Sequence, residues 1–146
     1  MAEDEETIAD RGSPVVAPFH QCTRKTLSFL FRRLNSASES VSFTNSVSYY
    51  DVLVLEKNAR VILTDSGGVQ KEAFFFKVPC VTLREDTEWV ETVETRWNVL
   101  AGYDHEQITQ AAFHARQGDE SAWPYGGGGA AEQVVDTIAL CIPGLQ

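Results

Sequence analysis

Residues 64–72, Thr-Asp-Ser-Gly-Gly-Val-Gln-Lys-Glu, leave this chain few architectures. They follow an apolar strand-like run, 60–63, and lead straight into helix-like sequence. Strand, glycine turn and helix start in that order form the place where α/β proteins bind phosphates. Ser66 is expected to cap the helix through its hydroxyl, while Gly67 and Gly68 let the backbone approach a ligand closely. The unpaired N–H groups of the first turn then face that ligand, with the positive end of the helix dipole behind them. Glu72 lies about one turn further on, placed to accept hydrogen bonds from sugar hydroxyls. A diphosphate beside Gly67 and a ribose beside Glu72 is the site these residues suggest. The spacing matches neither the dinucleotide G-x-G-x-x-G nor the Walker G-x-x-x-x-G-K-[ST] pattern. An ordinary capped helix start, with Glu72 as a solvated carboxylate, accounts for the same residues.

Around this motif, apolar spacing predicts strands over 60–63 and 79–83 flanking a helix over 69–76. A short helix over 88–94, an edge strand over 98–100 and a helix over 106–116 follow. Gly126–Gly129 breaks the chain before a last helix over 130–140. Upstream, the pattern gives a strand over 14–19, a helix over 26–34 and a serine-rich loop over 36–45 holding a strand at 41–43. A helix over 49–58 places Tyr50, Leu53, Val54 and Lys57 on one face. Strands alternating with helices argue for parallel pairing and right-handed crossovers.

Arg84 follows the 79–83 strand, at the carboxyl edge where ligands of open α/β sheets bind. Its guanidinium suits a phosphate or a carboxylate held by two parallel bonds. Thr87 and Glu88 read as a helix start, with Glu88 or Glu91 available to sugar hydroxyls. An Arg84–Glu88 or Arg84–Glu91 ion pair bracing the turn fits the same residues.

Twelve basic against twenty-one acidic residues give a net charge of −9 over 146 residues. That balance argues against a nucleic-acid surface or an anionic membrane, so an anionic ligand must be held by local amides and a few arginines. The N-terminus is acidic where a signal peptide is basic, and no run is long enough to span a membrane, so a cytoplasmic protein is expected. Cys22, Cys80 and Cys141 are odd in number and widely spaced, which indicates neither a disulfide framework nor a zinc site. His20, His105 and His114 show no metal spacing. His105 and His114 read as surface or boundary residues, and Cys80 as a small buried apolar residue.

Two motifs in order, Thr64-Asp-Ser-Gly-Gly-Val-Gln-Lys-Glu72 and Arg84-Glu-Asp-Thr-Glu-Trp-Val-Glu91, followed by Trp97-Asn-Val-Leu, resemble the C-terminal domain of the non-hydrolysing UDP-N-acetylglucosamine 2-epimerases. Weaker similarity reaches upstream to Pro14-Val-Val-Ala-Pro-Phe-His20 and downstream to Pro124-Tyr-Gly-Gly-Gly128. The resemblance implies a Rossmann-like parallel sheet with helices on both faces, the C-terminal half of a two-domain glycosyltransferase-B-like fold. Residues 1–13 are expected to be a disordered acidic start and 14–146 a partial domain. The family's first domain, its acid–base carboxylates and its His-Arg-x-Glu segment have no counterpart, so the chain reads as a fragment.

By resemblance, Ser66, Gly67, Gly68 and Glu72 bind UDP, and Arg84, Glu88 and His20 are further ligand contacts. His20 matches a histidine beside a second, activating UDP-sugar site in bacterial members. The implied activity is inversion at C2 of a UDP-activated 2-acetamido sugar by elimination and re-addition of UDP, without a cofactor, in enzymes that are commonly homodimers. Trp89 and Val90 replace a common arginine and proline, as in the subgroup acting on diacetamido-uronate UDP-sugars and in many archaeal sequences of the family. Arg96 replaces a common glycine before Trp-Asn, which suggests a changed turn or a relaxed constraint. Val47 and Val52 stand where uracil-contacting residues are usual. A non-catalytic nucleotide-binding module and a glycosyltransferase fragment are the other classes compatible with the glycine motif.

Overall fold

The computed structural model describes residues 14–18, 41–44 and 47–141. The helix expected over 26–34, His20, Cys22 and the acidic start lie outside the described residues.

Two parallel ladders organise the chain. Strand β1 (Val15–Pro18) pairs with β2 (Val41–Thr44), Val15 opposite Val41. Helix α1 (Tyr49–Asn58) leads to β3 (Ile62–Thr64), α2 (Gly67–Phe76), β4 (Cys80–Thr82), α3 (Val90–Glu94), β5 (Asn98–Leu100), α4 (His105–His114) and α5 (Ala130–Cys141). Strands β3, β4 and β5 form a second parallel sheet in sequential order. Among the described residues the parallel strands form two groups, with no ladder joining β2 to β3.

Because successive residues of a strand face opposite ways, each strand feeds two cores. Ile62 and Cys80, which share a register row, pack with Ala73 and Val78, and Ala59, Val69 and Phe76 close over them. On the other face Val81, Leu83 and Ala101 pack with Ile108, flanked by Val61, Leu63 and Ala111. Helix α2 therefore covers one face and α4 the other, as the resemblance implied. Burying a side chain such as Phe74 or Val81 contributes roughly 1.5–3 kcal/mol. Strands β3, β4 and β5 are only three residues long each, but ladder bonds continue past them: Ile62 N–H to Pro79 C=O at 2.9 Å, Leu83 N–H to Thr64 C=O at 2.9 Å and Ala101 N–H to Thr82 C=O at 3.0 Å.

Helix α1 has the bounds the sequence predicts, but it presents a different face. Tyr50 and Val54 are 78% and 61% exposed, and the residue it buries is Glu56. Spacing says which side chains share a face, not which face meets a neighbour. Helix α2 ends with Lys77 in the left-handed region at φ 56°, its N–H returning to the carbonyls of Ala73 and Phe74. The Lys77 ammonium lies over the Phe74, Trp123 and Trp97 rings at 4.3, 4.6 and 5.2 Å.

Arg96 is left-handed too, at φ 62°. Of the two expectations, a changed turn is not what the backbone shows: it keeps the left-handed conformation and an arginine occupies it, held because Trp97 is buried and its indole N–H donates to Asp119 C=O at 3.1 Å. A non-glycine residue there costs about 1 kcal/mol. Arg96→Gly is therefore expected to stabilise the fold by about 0.5–1 kcal/mol, raising Tm by about 2–3 °C in thermal unfolding followed by circular dichroism.

Candidate functional site

Parallel strands bring their carboxyl ends to one edge, and both motifs begin there. Thr64 closes β3 and Thr82 closes β4, in the same register row. Ser66 takes the N-cap position of α2, but its hydroxyl makes no cap bond. The expected serine cap is replaced by a bond from two residues earlier, where Thr64 Oγ1 accepts from Ser66 N–H at 3.0 Å. The Ser66 hydroxyl is thus left free at the helix mouth. Gly67 and Gly68 are the first two residues of the helix rather than a turn before it. Intrahelical bonding starts at Gln70 N–H, so Gly67, Gly68 and Val69 point their N–H groups out of the helix end without acceptors.

Gly67 has a reason to be glycine that the sequence reading missed. A Cβ there would lie 3.0 Å from both the Glu88 carboxylate and the Trp89 indole nitrogen. The second motif is folded against the first, and the missing side chain makes the room. Gly68 has only the Ser66 hydroxyl nearby, at 3.7 Å.

A buried polar network fixes that contact. Thr87 Oγ1 donates to Gln70 Oε1 at 2.6 Å and accepts from Trp89 N–H at 3.0 Å. Asn98 Nδ2 donates to the same Gln70 oxygen at 3.2 Å and to Thr92 Oγ1 at 3.1 Å. Thr92 donates in turn to Trp89 C=O at 2.7 Å, and Thr82 Oγ1 to Asn98 Oδ1 at 2.7 Å. Gln70, Thr82, Thr92 and Asn98 are almost wholly buried. Sequence reasoning named Thr87 only as a helix start and passed over the other four. The available signal was a glutamine on the inward side of a helix that is otherwise apolar there, a placement that requires partners.

Arg84 bonds Glu88 at 3.3 Å and Asp86 at 3.2 Å. The alternative of an ion pair bracing the turn is realised through Glu88. Glu91 is instead the acceptor of Tyr125 Oη at 3.4 Å. The expected start of a helix at Glu88 is also corrected: α3 begins at Val90, because Thr87 Oγ1 takes the Trp89 N–H and holds 87–89 as a turn. Both Arg84 pairs are solvent-exposed, worth at most about 1 kcal/mol, so exchange for a phosphate is cheap.

On the other side of α2, Glu72 Oε1 accepts from Tyr49 Oη at 2.9 Å. Tyr49 is held above its ordinary pKa first by that bond and then by desolvation and the Glu72 charge. Beneath it Glu56 is only 6% exposed, and neither carboxyl oxygen has a hydrogen-bond partner of ordinary geometry. Burial pushes Glu56 up from 4.5 to about 7, with the neighbouring Glu72 charge adding to the effect. Burial likewise pushes the Cys80 thiol to about 12, and burial followed by the Glu91 charge raises Tyr125 to about 12. Cys80 packs in the core, as expected for a small apolar residue, and His105 and His114 are exposed.

A shallow cleft of about 350 Å³ opens beyond β5, lined by Glu85, Gly102, Tyr103 and Asp104 among others, and touches no residue of 64–72. Among the described residues no cluster of His, Cys, Asp and Glu could hold a metal, and no helix is long and apolar enough to cross a membrane.

Parallel strands, helices on both faces and a glycine-started helix at the carboxyl edge define a Rossmann-like α/β unit. Comparison with known proteins narrows that class. The profile of the family described as UDP-N-acetylglucosamine 2-epimerase matches residues 5–139, reaching back into the acidic start. The chain belongs to this family. A UDP-N-acetylglucosamine 2-epimerase homolog of Methanococcus maripaludis is 41% identical over 127 residues, covering 85% of this chain. The UDP-2,3-diacetamido-2,3-dideoxy-D-glucuronate 2-epimerase of Pseudomonas aeruginosa is 39% identical over 129 residues, covering 87%. This chain spans 35% of the length of each of these relatives. The crystal structure of a Methanocaldococcus jannaschii UDP-GlcNAc 2-epimerase in complex with UDP-GlcNAc and UDP superposes with a TM-score of 0.84 at 37% identity, over 94% of this chain and 39% of that one.

Two outcomes are expected. Asn98→Ala leaves Gln70, Thr82 and Thr92 short of partners in the interior, a loss of about 2–3 kcal/mol in urea unfolding. The second concerns Glu56, whose folded-state value lies above its unfolded one. Its contribution is fully present below about pH 4.5 and is lost as pH rises through about 7, to a limit of about 3 kcal/mol. Glu56→Gln should match the wild-type Tm near pH 5 and exceed it at pH 8.5.

Proposed function

We propose that this chain is the UDP-binding part of a UDP-N-acetylglucosamine 2-epimerase, an isomerase that interconverts UDP-N-acetylglucosamine and UDP-N-acetylmannosamine. The observation that carries this reading is the juxtaposition at one sheet edge. Three outward N–H groups and a free serine hydroxyl open the helix, Glu72 stands on the same helix, and Arg84 follows the adjacent strand β4. The bound UDP and UDP-GlcNAc named for the M. jannaschii structure support the ligand class.

In this reading the amides of Gly67, Gly68 and Val69 and the Ser66 hydroxyl receive the diphosphate, and Glu72 accepts from the ribose hydroxyls. Elimination breaks the C1–O bond to UDP and removes the C2 proton, leaving a glycal; re-addition from the other face restores the bond with C2 inverted. Negative charge grows on the departing diphosphate as that bond breaks, and preorganised N–H donors stabilise it without reorganising. Arg84 adds charge once it exchanges a carboxylate for phosphate. Acid–base groups for C2 are assigned to the part of the relatives that this chain does not match. We therefore expect weak UDP binding and no turnover from the chain alone, and a homodimer in the complete enzyme.

The second reading is a 2-epimerase for a diacetamido-uronate UDP-sugar. What suggests it is Trp89, which the resemblance shares between this subgroup and many archaeal members and whose indole stands against Gly67. His20 stays an expected contact at a second nucleotide site.

The test exploits an opposition of effects. Ser66→Asp supplies a better cap and a charge that suits the helix dipole, so it should hold or raise Tm. The same carboxylate repels a diphosphate and should weaken UDP binding at least tenfold in titrations followed by amide shifts of Ser66, Gly67 and Gly68. Unchanged affinity would refute the phosphate site. Proton NMR of UDP-N-acetylglucosamine in deuterated water should show no deuterium at C2 with this chain alone; its appearance would overturn the assignment of the acid–base groups to the part of the relatives that this chain does not match.

A further inference from the structure

Glu56 belongs to neither motif, yet it is the one acidic side chain among the described residues that is buried. Its carboxyl oxygens have no hydrogen-bond partner of ordinary geometry, and no described ion pair reaches it. An isolated carboxylate in such a place is costly, and the group escapes the cost by keeping its proton. The groups that influence it are Glu72 on α2, whose charge opposes its ionisation, and Cys80 on β4. Tyr49, on its own helix, donates to Glu72. None of them is a cation. Glu72, in contrast, is partly exposed and accepts the Tyr49 hydroxyl.

Resting on the reading of Glu72 as the ribose contact, we propose that Glu56 is a positioning residue that shares one proton with Glu72 and so keeps Glu72 as the acceptor-only carboxylate that a vicinal diol requires. Two carboxyl groups in one site do not ionise together easily, so the proton stays on the drier member. With Glu56 neutral, both oxygens of Glu72 are acceptors, one for Tyr49 and one for the ligand. When Glu56 loses its proton, the second buried charge repels Glu72, strains the α1–α2 contact and adds negative potential beside an anionic nucleotide. Ligand affinity is then linked to proton binding: it falls as pH rises through the titration of Glu56. The direction follows from burial and from the missing cation, and burial does raise this carboxyl.

The experiment uses the 146-residue chain with carboxyl-labelled glutamate and UDP-N-acetylglucosamine, whose diphosphate diester does not titrate between pH 5.5 and 8.5. Without ligand, carbon-13 spectra should show the Glu56 carboxyl titrating near neutrality, and Glu72→Gln should lower that midpoint. A Glu56 midpoint in the ordinary carboxylate range overturns the proposal whatever the ligand does. With ligand, the dissociation constant should weaken about tenfold from pH 5.5 to 8.5, a coupling of ordinary allosteric size. Glu56→Gln, which fills the same space but cannot ionise, should flatten that slope, while Glu56→Ala, which empties the space beneath Glu72, should weaken binding at both ends. A wild-type profile without slope, or a slope that survives Glu56→Gln, overturns the proposal. Binding that ignores Glu72→Gln, or no ligand effect on either carboxyl at millimolar concentration, overturns the ribose reading instead and leaves the proton sharing to the ligand-free titration.

Discussion

One buried amide oxygen ties this structure together. Gln70 Oε1 receives Thr87 from the second motif and Asn98 from the edge strand, and through Asn98 the hydroxyls of Thr82 and Thr92 join the same network. Away from water each of these bonds is stronger, and leaving any of them unmade costs the full desolvation of the group. The arrangement is therefore all or nothing: it sets the helix start, the 84–89 turn and the start of β5 in one geometry. The two segments that resemble a nucleotide-sugar site converge because a single glutamine side chain holds both.

That dependence explains what a reader of the sequence can and cannot see. Helix α1, strand β5 and helix α5 are legible to within a residue, because apolar spacing and the Gly126–Gly129 break mark them directly. The strand–glycine–helix order also reveals which edge of the sheet carries the candidate site. The details that went astray are those decided by tertiary contact. Ser66 looks like a capping serine, yet Thr64 provides the bond that orders this turn. Glu88 looks like a helix start until Thr87 captures the Trp89 amide. Tyr50 and Val54 look like a packing face, yet α1 meets its neighbour along the side that carries Glu56.

Gln70 and Glu56 illustrate the same limit from opposite sides. Both are polar residues whose importance comes from burial, which no single sequence states. Gln70 is buried with partners for its oxygen and becomes a brace. Glu56 is buried without them and becomes a titrating group. Spacing treats them alike, as interruptions of an apolar pattern. Their chemistry separates only when the surrounding elements are in place.

Cys80 and Cys141 mark opposite extremes of accessibility in the same fold. Cys80 lies between the central strand and α2 with its thiol held protonated, whereas Cys141 is exposed at the end of α5. A thiol reagent reaches the second directly and the first only when the three-stranded sheet parts from its covering helix. Between these two sulfurs the molecule carries its own gauge of how often that core breathes, read as a ratio of labelling rates with no probe added.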